Sequence, residues 1–140
     1  MKVVIALFLF TLNTRESFGQ KADDNIILVT VADTSDLYHR VRQAIMFTNL
    51  IIRDDYGRDT LVTLSERIHG FSIFVIARIV INDTKVEISG AFGLGQEDFW
   101  GYPSWPKSYK QIVYFKGSEA WQVLRQIAIK LDGKMEFLKR

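Results

Sequence analysis

The segment from Gly95 to Tyr109 holds the side chains best suited to binding a ligand. It contains five aromatic residues within eleven positions and both prolines of the chain. These aromatic residues are Phe99, Trp100, Tyr102, Trp105 and Tyr109. Aromatic rings pair an apolar body with specific stacking geometry, and binding residues often lie on loops. The segment is therefore predicted to bind a glycan or another protein. The alternative is that the rings only cover an apolar face of a sheet.

Acid–base catalysis would need carboxylates that converge on one point. Three adjacent pairs occur, at Asp23-Asp24, Asp54-Asp55 and Glu97-Asp98. Neighbouring residues of a strand point to opposite faces, and two of the pairs fall in predicted turns or tails. We therefore assign no catalytic residue. A small hydrolase, with Glu97 or Asp98 as its acid, is kept as the alternative from another class.

Metal and nucleophile chemistry find little support in the sequence. The chain has no cysteine, and its two histidines, His39 and His69, are far apart and lack a nearby set of acidic residues. Neither a structural zinc site nor a bound cofactor is expected. His39 is predicted to lie on a helix surface and His69 in a turn. A net charge of +2, with both signs scattered, also argues against a nucleic-acid partner.

A long hairpin is the clearest structural element that would hold the aromatic segment. Every second residue from Phe71 to Ile81 is apolar, which is the pattern of a strand with one face in the core. Asn82-Asp83-Thr84 provides a turn, and the alternation continues through Val86, Ile88, Gly90 and Phe92. The opposite face of the first strand carries Phe74, Ile76 and Val80, which is unusually apolar for a surface in water.

Two amphipathic helices are predicted on either side of this hairpin. The first follows an interior strand at Asn25 to Val31 and ends near Asn49, with Asp33, Thr34 or Ser35 offering capping oxygens. Its apolar stripe is Leu37, Tyr38, Val41, Ala44 and Ile45. The second begins at a Ser118 cap and ends at Gly133 as C-cap. Its apolar stripe is Trp121, Leu124, Ile127, Ala128 and Leu131.

Shorter strands complete the predicted sheet. They are Leu50 to Ile52, a strand whose Val62, Leu64 and Ile68 share one face, and Ile112 to Phe115, with a turn between Asp54 and Asp59. The element order is β-α-β-β-β-β-α. We expect an α+β two-layer sandwich, in which both helices pack on one face of an antiparallel meander sheet. Ile73, Val75, Ile79, Trp121 and Leu124 should share one core.

Residues 1–19 have the pattern of an export signal. Met1 and Lys2 precede the apolar stretch Val3 to Leu12, and small residues stand at Ser17 and Gly19. We predict cleavage before Gln20, which leaves 20–140 as a single domain. A membrane anchor would need about 20 apolar residues, so no stable span is expected after cleavage. A buried first strand is the other alternative.

Several segments resemble those of short exported proteins of unknown function that are common in Bacteroidota. They are Phe18-Gly19-Gln20, the strand from Asn49 to Asp55, the strand from Thr84 to Gly90, and the helix that contains Trp121. The resemblance covers residues 25 to 137 and implies a periplasmic or envelope location. It also implies a β-α-β-β-β-α fold similar to TATA-binding-protein-like or helix-grip domains. The aromatic segment departs from the usual run of that group.

Together these features predict an exported, non-enzymatic binding module of the periplasm or cell envelope. Its ligand would be an envelope protein or a glycan, bound through the sheet face and the aromatic segment. The alternatives are a glycan-binding module that uses residues 95–109 alone and a small hydrolase that acts on envelope polymers. The sequence does not indicate an oligomeric state.

Overall fold

The computed structural model of the protein describes residues 19–57, 59–68, 72–97 and 103–140. Two helices form in this part of the chain, α1 (Leu37–Phe47) and α2 (Glu119–Lys130). The strands are β1 (Ile26–Thr30), β2 (Ile52–Tyr56), β3 (Thr60–Thr63), β4 (Glu66–Arg67), β5 (Ile73–Asn82), β6 (Lys85–Leu94), β7 (Gln96–Glu97), β8 (Pro103–Ser104), β9 (Lys110–Gln111) and β10 (Lys134–Leu138).

One open antiparallel sheet holds most of these strands. Its order is β10-β1-β6-β5-β3-β2, with β4 paired to β5 and β9 paired to β6. Strands β7 and β8 pair only with each other. The predicted α+β fold with a meander sheet and two helices is therefore confirmed.

The predicted hairpin forms as β5 and β6, which lie in the middle of the sheet. Asn82 pairs with Lys85, and the two residues between them make the turn, with Asp83 in the left-handed region at φ 55°. Asp tolerates that region better than most residues, which explains its place here. Val75, Ala77 and Ile79 on one face of β5 are fully buried.

Both helices cover this same sheet face. Val41 and Ile45 of α1, together with Trp121 and Leu124 of α2, belong to one continuous buried core with Ile79. The predicted shared core is confirmed, since Val75 also lies in it and Ile73 packs against it. The Ser118 cap is confirmed as well, because its hydroxyl accepts a hydrogen bond from the Trp121 backbone N–H at 3.2 Å.

The start of α1 differs from the prediction. Asp36 occupies the N-cap position in a left-handed conformation, and its side chain accepts no capping hydrogen bond. The Asp33 side chain instead accepts from the Ser35 backbone N–H at 2.9 Å, which closes a local turn before the helix. This turn uses an oxygen that had been expected to cap α1.

The faces of β2 and β3 also differ from the prediction. Asp54 and Asp55 lie within β2, and the turn falls only after Tyr56. On β3 the buried residues are Leu61 and Thr63, whereas Val62 faces the other way. Thr63 can be buried because its hydroxyl accepts a hydrogen bond from the Ala77 backbone N–H at 2.9 Å.

Strand β10, which follows α2, was not predicted from the sequence. β10 pairs along the whole of β1, so β1 lies between β10 and β6. The predicted strand from Ile112 to Phe115 is wrong: the pairing there is made by β9, and Ile112 itself is buried in the core.

Candidate binding site

The described part of the aromatic segment lies on the sheet face opposite the helices. The rings of Trp105 and Phe74 are 5.2 Å apart between centroids and inclined at 45°. Phe74 points away from the helix-covered side of β5, yet it is only 6% exposed. Trp105 therefore shields an aromatic residue that would otherwise face water.

Gly93 allows the segment to approach the sheet this closely. A Cβ atom at this position would lie 2.5 Å from the Pro106 Cβ and 2.7 Å from the Ser108 carbonyl oxygen. Any larger residue would push the segment off the strand, because real Cβ atoms do not approach other heavy atoms so closely. The glycine in β6 thus fixes where residues 105–108 lie.

Tyr109 fastens the segment on the far side of the hairpin. Its hydroxyl lies 2.7 Å from the hydroxyl of Ser65. Ser65 lies in the connection between β3 and β4, and both of these strands pair with β5. Since Lys110 pairs with β6 on the opposite side, this hydrogen bond reaches across both long strands. The segment is held at Phe74, at Gly93 and at Ser65.

Although Trp105 packs on Phe74, its own side chain remains largely open to water. It is 66% exposed, an unusual value for a tryptophan that is fixed against the protein on one side. A pocket of about 370 Å³ opens beside it. The pocket is lined by Phe92, Gly93, Leu94, Trp105, Lys107, Ser108 and Lys110. We call this site the Trp105 pocket.

The lining of the Trp105 pocket combines apolar and cationic groups. Trp105 and the 64%-exposed Leu94 offer apolar surface, and Ser108 offers a hydroxyl group. Lys107 and Lys110 are both exposed and add positive charge. Such a site matches the usual plan of a ligand pocket, in which apolar walls give affinity and a few polar groups fix orientation.

The predicted site residues are only partly within the described structure. Trp105 and Tyr109 lie on the open sheet face, and of these only Trp105 lines the pocket. Phe99, Trp100 and Tyr102 lie outside the described residues. Sequence reasoning missed Lys107 and Lys110, although both follow Trp105 within five positions and could have been noted as charges beside a tryptophan.

Three carboxylates of the predicted pairs have partners other than a second carboxylate. Asp23 forms an ion pair with Lys139 at 3.9 Å, and Asp55 forms one with Arg42 at 3.3 Å. The Asp24 side chain accepts from the Lys21 backbone N–H at 2.7 Å. No group of three or more His, Cys, Asp or Glu side chains in the described ranges could hold a metal ion.

A shifted pKa occurs at Asp33, and its direction does not suit acid catalysis. Hydrogen bonds from Ser35, first from its side chain and then from its backbone N–H, lower the pKa of this carboxyl. A general acid needs a raised pKa at neutral pH, and Asp33 does not line the Trp105 pocket. His39 lies exposed on α1 near Gln43, as predicted, and His69 is outside the described residues.

A second opening of about 410 Å³ lies at the end of α1. It is lined by Arg42, Met46, Asn49, Leu50, Ile51 and Ile52. Met46 and Ile51 are exposed there, but Arg42 is already occupied by Asp55 and by the Tyr38 hydroxyl at 3.1 Å. The Trp105 pocket is therefore the better candidate, because the ion pairs among the described residues do not involve its two lysines.

Comparison of the chain with protein-family models, curated proteins and solved structures finds no match. Neither helix in the described part of the chain is long and apolar enough to cross a membrane. We therefore infer function from the chemistry of the Trp105 pocket.

Proposed function

We propose that this protein is an exported, non-enzymatic binding module and that the Trp105 pocket binds a glycan. The observation that supports the proposal is that Trp105 packs against Phe74 and is nevertheless largely exposed to water. Its ring is supported by Phe74 at 5.2 Å, while 66% of the side chain is exposed beside a pocket. A supported, solvent-facing indole is a ready surface for a sugar ring.

Physical chemistry favours a sugar at such a surface. One face of a pyranose ring carries C–H groups, which pack on the electron-rich face of an indole, while the hydroxyls stay in contact with water or polar groups. Binding requires little additional ordering of the protein, because Phe74, Gly93 and Ser65 already restrain the aromatic segment. Preorganisation of this kind raises affinity without a larger contact area.

The hydrolase alternative has Glu97 or Asp98 as its acid, and Asp98 and the side chain of Glu97 lie outside the described part of the structure. Cleavage of a glycosidic bond uses two carboxyl groups on either side of the bond, about 5 to 9.5 Å apart. The lining of the Trp105 pocket includes no carboxylate among the described side chains. Binding without catalysis is the simpler role for this site.

Export is the other half of the proposal, and it rests on the signal pattern of residues 1–19. An absence of cysteine is also compatible with an oxidising compartment, since no thiol is available there for unwanted disulfides. The periplasm or cell envelope is the proposed location.

Titration calorimetry with soluble cellulose, chitin and galacturonan oligosaccharides tests the binding proposal. At least one should bind, and Trp105→Ala should weaken that binding by about 2 kcal/mol, as loss of an aromatic anchor does. Tyr56→Ala is the matched control, because Tyr56 is a 57%-exposed aromatic residue that does not line the pocket.

Chemical denaturation of the same variants separates binding from mere coverage of the sheet. If Trp105→Ala lowers stability but the remaining folded protein binds sugars as before, Trp105 serves only as a cover for Phe74. That result, or the failure of every oligosaccharide to bind the unmodified protein, would refute the proposed function.

A further inference from the structure

We infer that the glycan bound in the Trp105 pocket is acidic, with a negative charge next to the ring that stacks on Trp105. This inference rests on the proposed function, since it specifies the ligand of that same site. An acidic ligand is supported by Lys107 and Lys110, which both line the pocket. Each is exposed, so each ammonium group can meet a ligand that arrives from solution.

The two lysines bring positive charge that no described acidic side chain of the pocket balances. Two other lysines of the described structure form ion pairs with acidic partners, Lys134 with Glu136 at 3.5 Å and Lys139 with Asp23 at 3.9 Å. The ion pairs of the described residues include neither Lys107 nor Lys110. Two like charges at one pocket repel each other, and a bound anion would relieve that repulsion.

The arrangement of the segment places charge and ring surface side by side. Lys107 is two residues from Trp105, and Lys107 and Lys110 both line the same pocket as the indole. A charged substituent on a sugar ring that stacks on Trp105 would therefore lie in a pocket that also holds two ammonium groups. The apolar contact and the charge contact would act on the same monosaccharide.

Lysine does not distinguish between the two common acidic groups of sugars. Its ammonium is a compact point charge without the planar fork by which arginine recognises carboxylate or phosphate geometry. The shared chemistry is thus a negatively charged sugar, whether its charge comes from a carboxylate or from a phosphate. The test needs one probe of each kind.

Salt should weaken only part of the binding. The ammonium groups lie at an exposed rim, where ionic interactions are screened over about 8 Å at physiological ionic strength. Stacking on Trp105 is not ionic and should persist. Affinity for an acidic sugar should therefore fall toward that of its neutral counterpart as salt increases.

Calorimetry of the full protein with three probes tests the inference: a galacturonic acid oligosaccharide, the neutral galactose oligosaccharide of equal length, and galactose 6-phosphate. The galacturonic acid oligosaccharide should bind about tenfold more tightly than the neutral one at low salt, which is the sum expected from two exposed ion pairs. Stronger binding of galactose 6-phosphate than of galactose itself would identify phosphate as a second source of the charge.

Variants then assign the preference to the pocket. The double substitution Lys107→Gln and Lys110→Gln should remove the tenfold preference but leave binding of the neutral oligosaccharide, because Trp105 is unchanged. Lys116→Gln removes one exposed lysine outside the pocket and should keep the preference. A thermal melt of each variant checks that the protein remains folded.

The possible failures are distinguishable. If neutral and acidic oligosaccharides bind the unmodified protein equally, the inference is overturned and the proposed glycan-binding function stands. If Lys116→Gln reduces the preference as much as the double substitution does, the effect is one of overall charge and the inference is again overturned. If none of these three probes binds, the inference is overturned, whereas the proposed function fails only if the cellulose and chitin oligosaccharides do not bind either.

Discussion

At the residue scale, Asp132 and Gly133, which follow α2, are constrained in different ways by the backbone. Asp132 adopts the left-handed conformation at φ 52°, the place where a glycine is often found at the end of a helix. Gly133 is needed for space instead. A Cβ atom there would lie 2.5 Å from the Thr30 carbonyl oxygen and 2.7 Å from the Val29 side chain. The predicted role of Gly133 as a C-cap is therefore wrong, although a glycine is required at that position.

Replacing Gly133 by Ala should destabilise the protein by about 1 to 3 kcal/mol, as overpacking does. The added methyl group meets the backbone of β1, which cannot move without disturbing its pairing with β10. Asp132→Gly is the control and should change stability by less than about 1 kcal/mol, because glycine accepts the left-handed conformation. Urea denaturation measures both. An unchanged midpoint for Gly133→Ala would contradict the close approach.

At the element scale, the two faces of β5 have different partners. Val75, Ala77 and Ile79 lie beneath the helices, whereas Phe74, Ile76 and Val80 face the other side of the sheet. That second face is covered by Trp105 only near Phe74, and Val80 remains partly exposed. The strand therefore gives an internal comparison between a packed and a partly open apolar face.

Ile79→Ala should lower the free energy of unfolding by about 2 to 5 kcal/mol, because it leaves a cavity in a fully buried part of the core. Val80→Ala removes an apolar side chain from the adjacent position on the opposite face. Its cost should be clearly smaller, since that side chain is only partly buried. Chemical denaturation under the same conditions compares them, and equal losses would show that the strand faces are assigned wrongly.

The regular alternation of β5 and β6 made their pairing predictable from sequence. Their apolar residues recur every second position, and the turn residues between them fix the register. The buried face of β3 was predicted wrongly, because hydrophobicity is a poor guide when a polar side chain is buried with its hydrogen bond satisfied. Thr63 is such a case, since its partner, the backbone N–H of Ala77, lies fourteen residues away.

β10 shows a second limit of the same reasoning. Met135 and Phe137 alternate with Lys134 and Glu136, which is a strand pattern, but it spans only five residues directly after a helix. Its stability comes from pairing with β1 more than a hundred positions earlier. Local propensity does not contain that partner. Leu94 joins the Trp105 pocket only through the fold, whereas Lys107 and Lys110 follow Trp105 closely enough to be predicted beside it from the sequence.

At the scale of the whole molecule, the sheet is covered unequally. One face carries both helices and the continuous core, whereas the other is covered at one end by the aromatic segment. Near β1, the Arg140 guanidinium contacts both carboxylate oxygens of Glu87, at 2.9 and 3.0 Å. These exposed ion pairs contribute little to stability, so most of it must come from the helix-covered face.

The start of the described chain is tied to that face, and this bears on where the proposed signal peptide would be removed. The buried Trp121 donates its indole N–H to the Gln20 side-chain oxygen at 2.9 Å. Cleavage after Gly19 keeps this hydrogen bond, whereas removal of Gln20 would leave the indole N–H without its partner at a cost of about 1 to 3 kcal/mol. Both the signal pattern and the contact therefore favour Gln20 as the first residue of the exported protein.

Intact-mass measurement, after secretion of the full chain by a bacterial host, should give the mass of residues 20–140. A purified chain that begins at Lys21 is the control and should unfold at a lower urea concentration. A dominant exported species that retains Met1 to Gly19, or that begins after Gln20, would contradict the prediction.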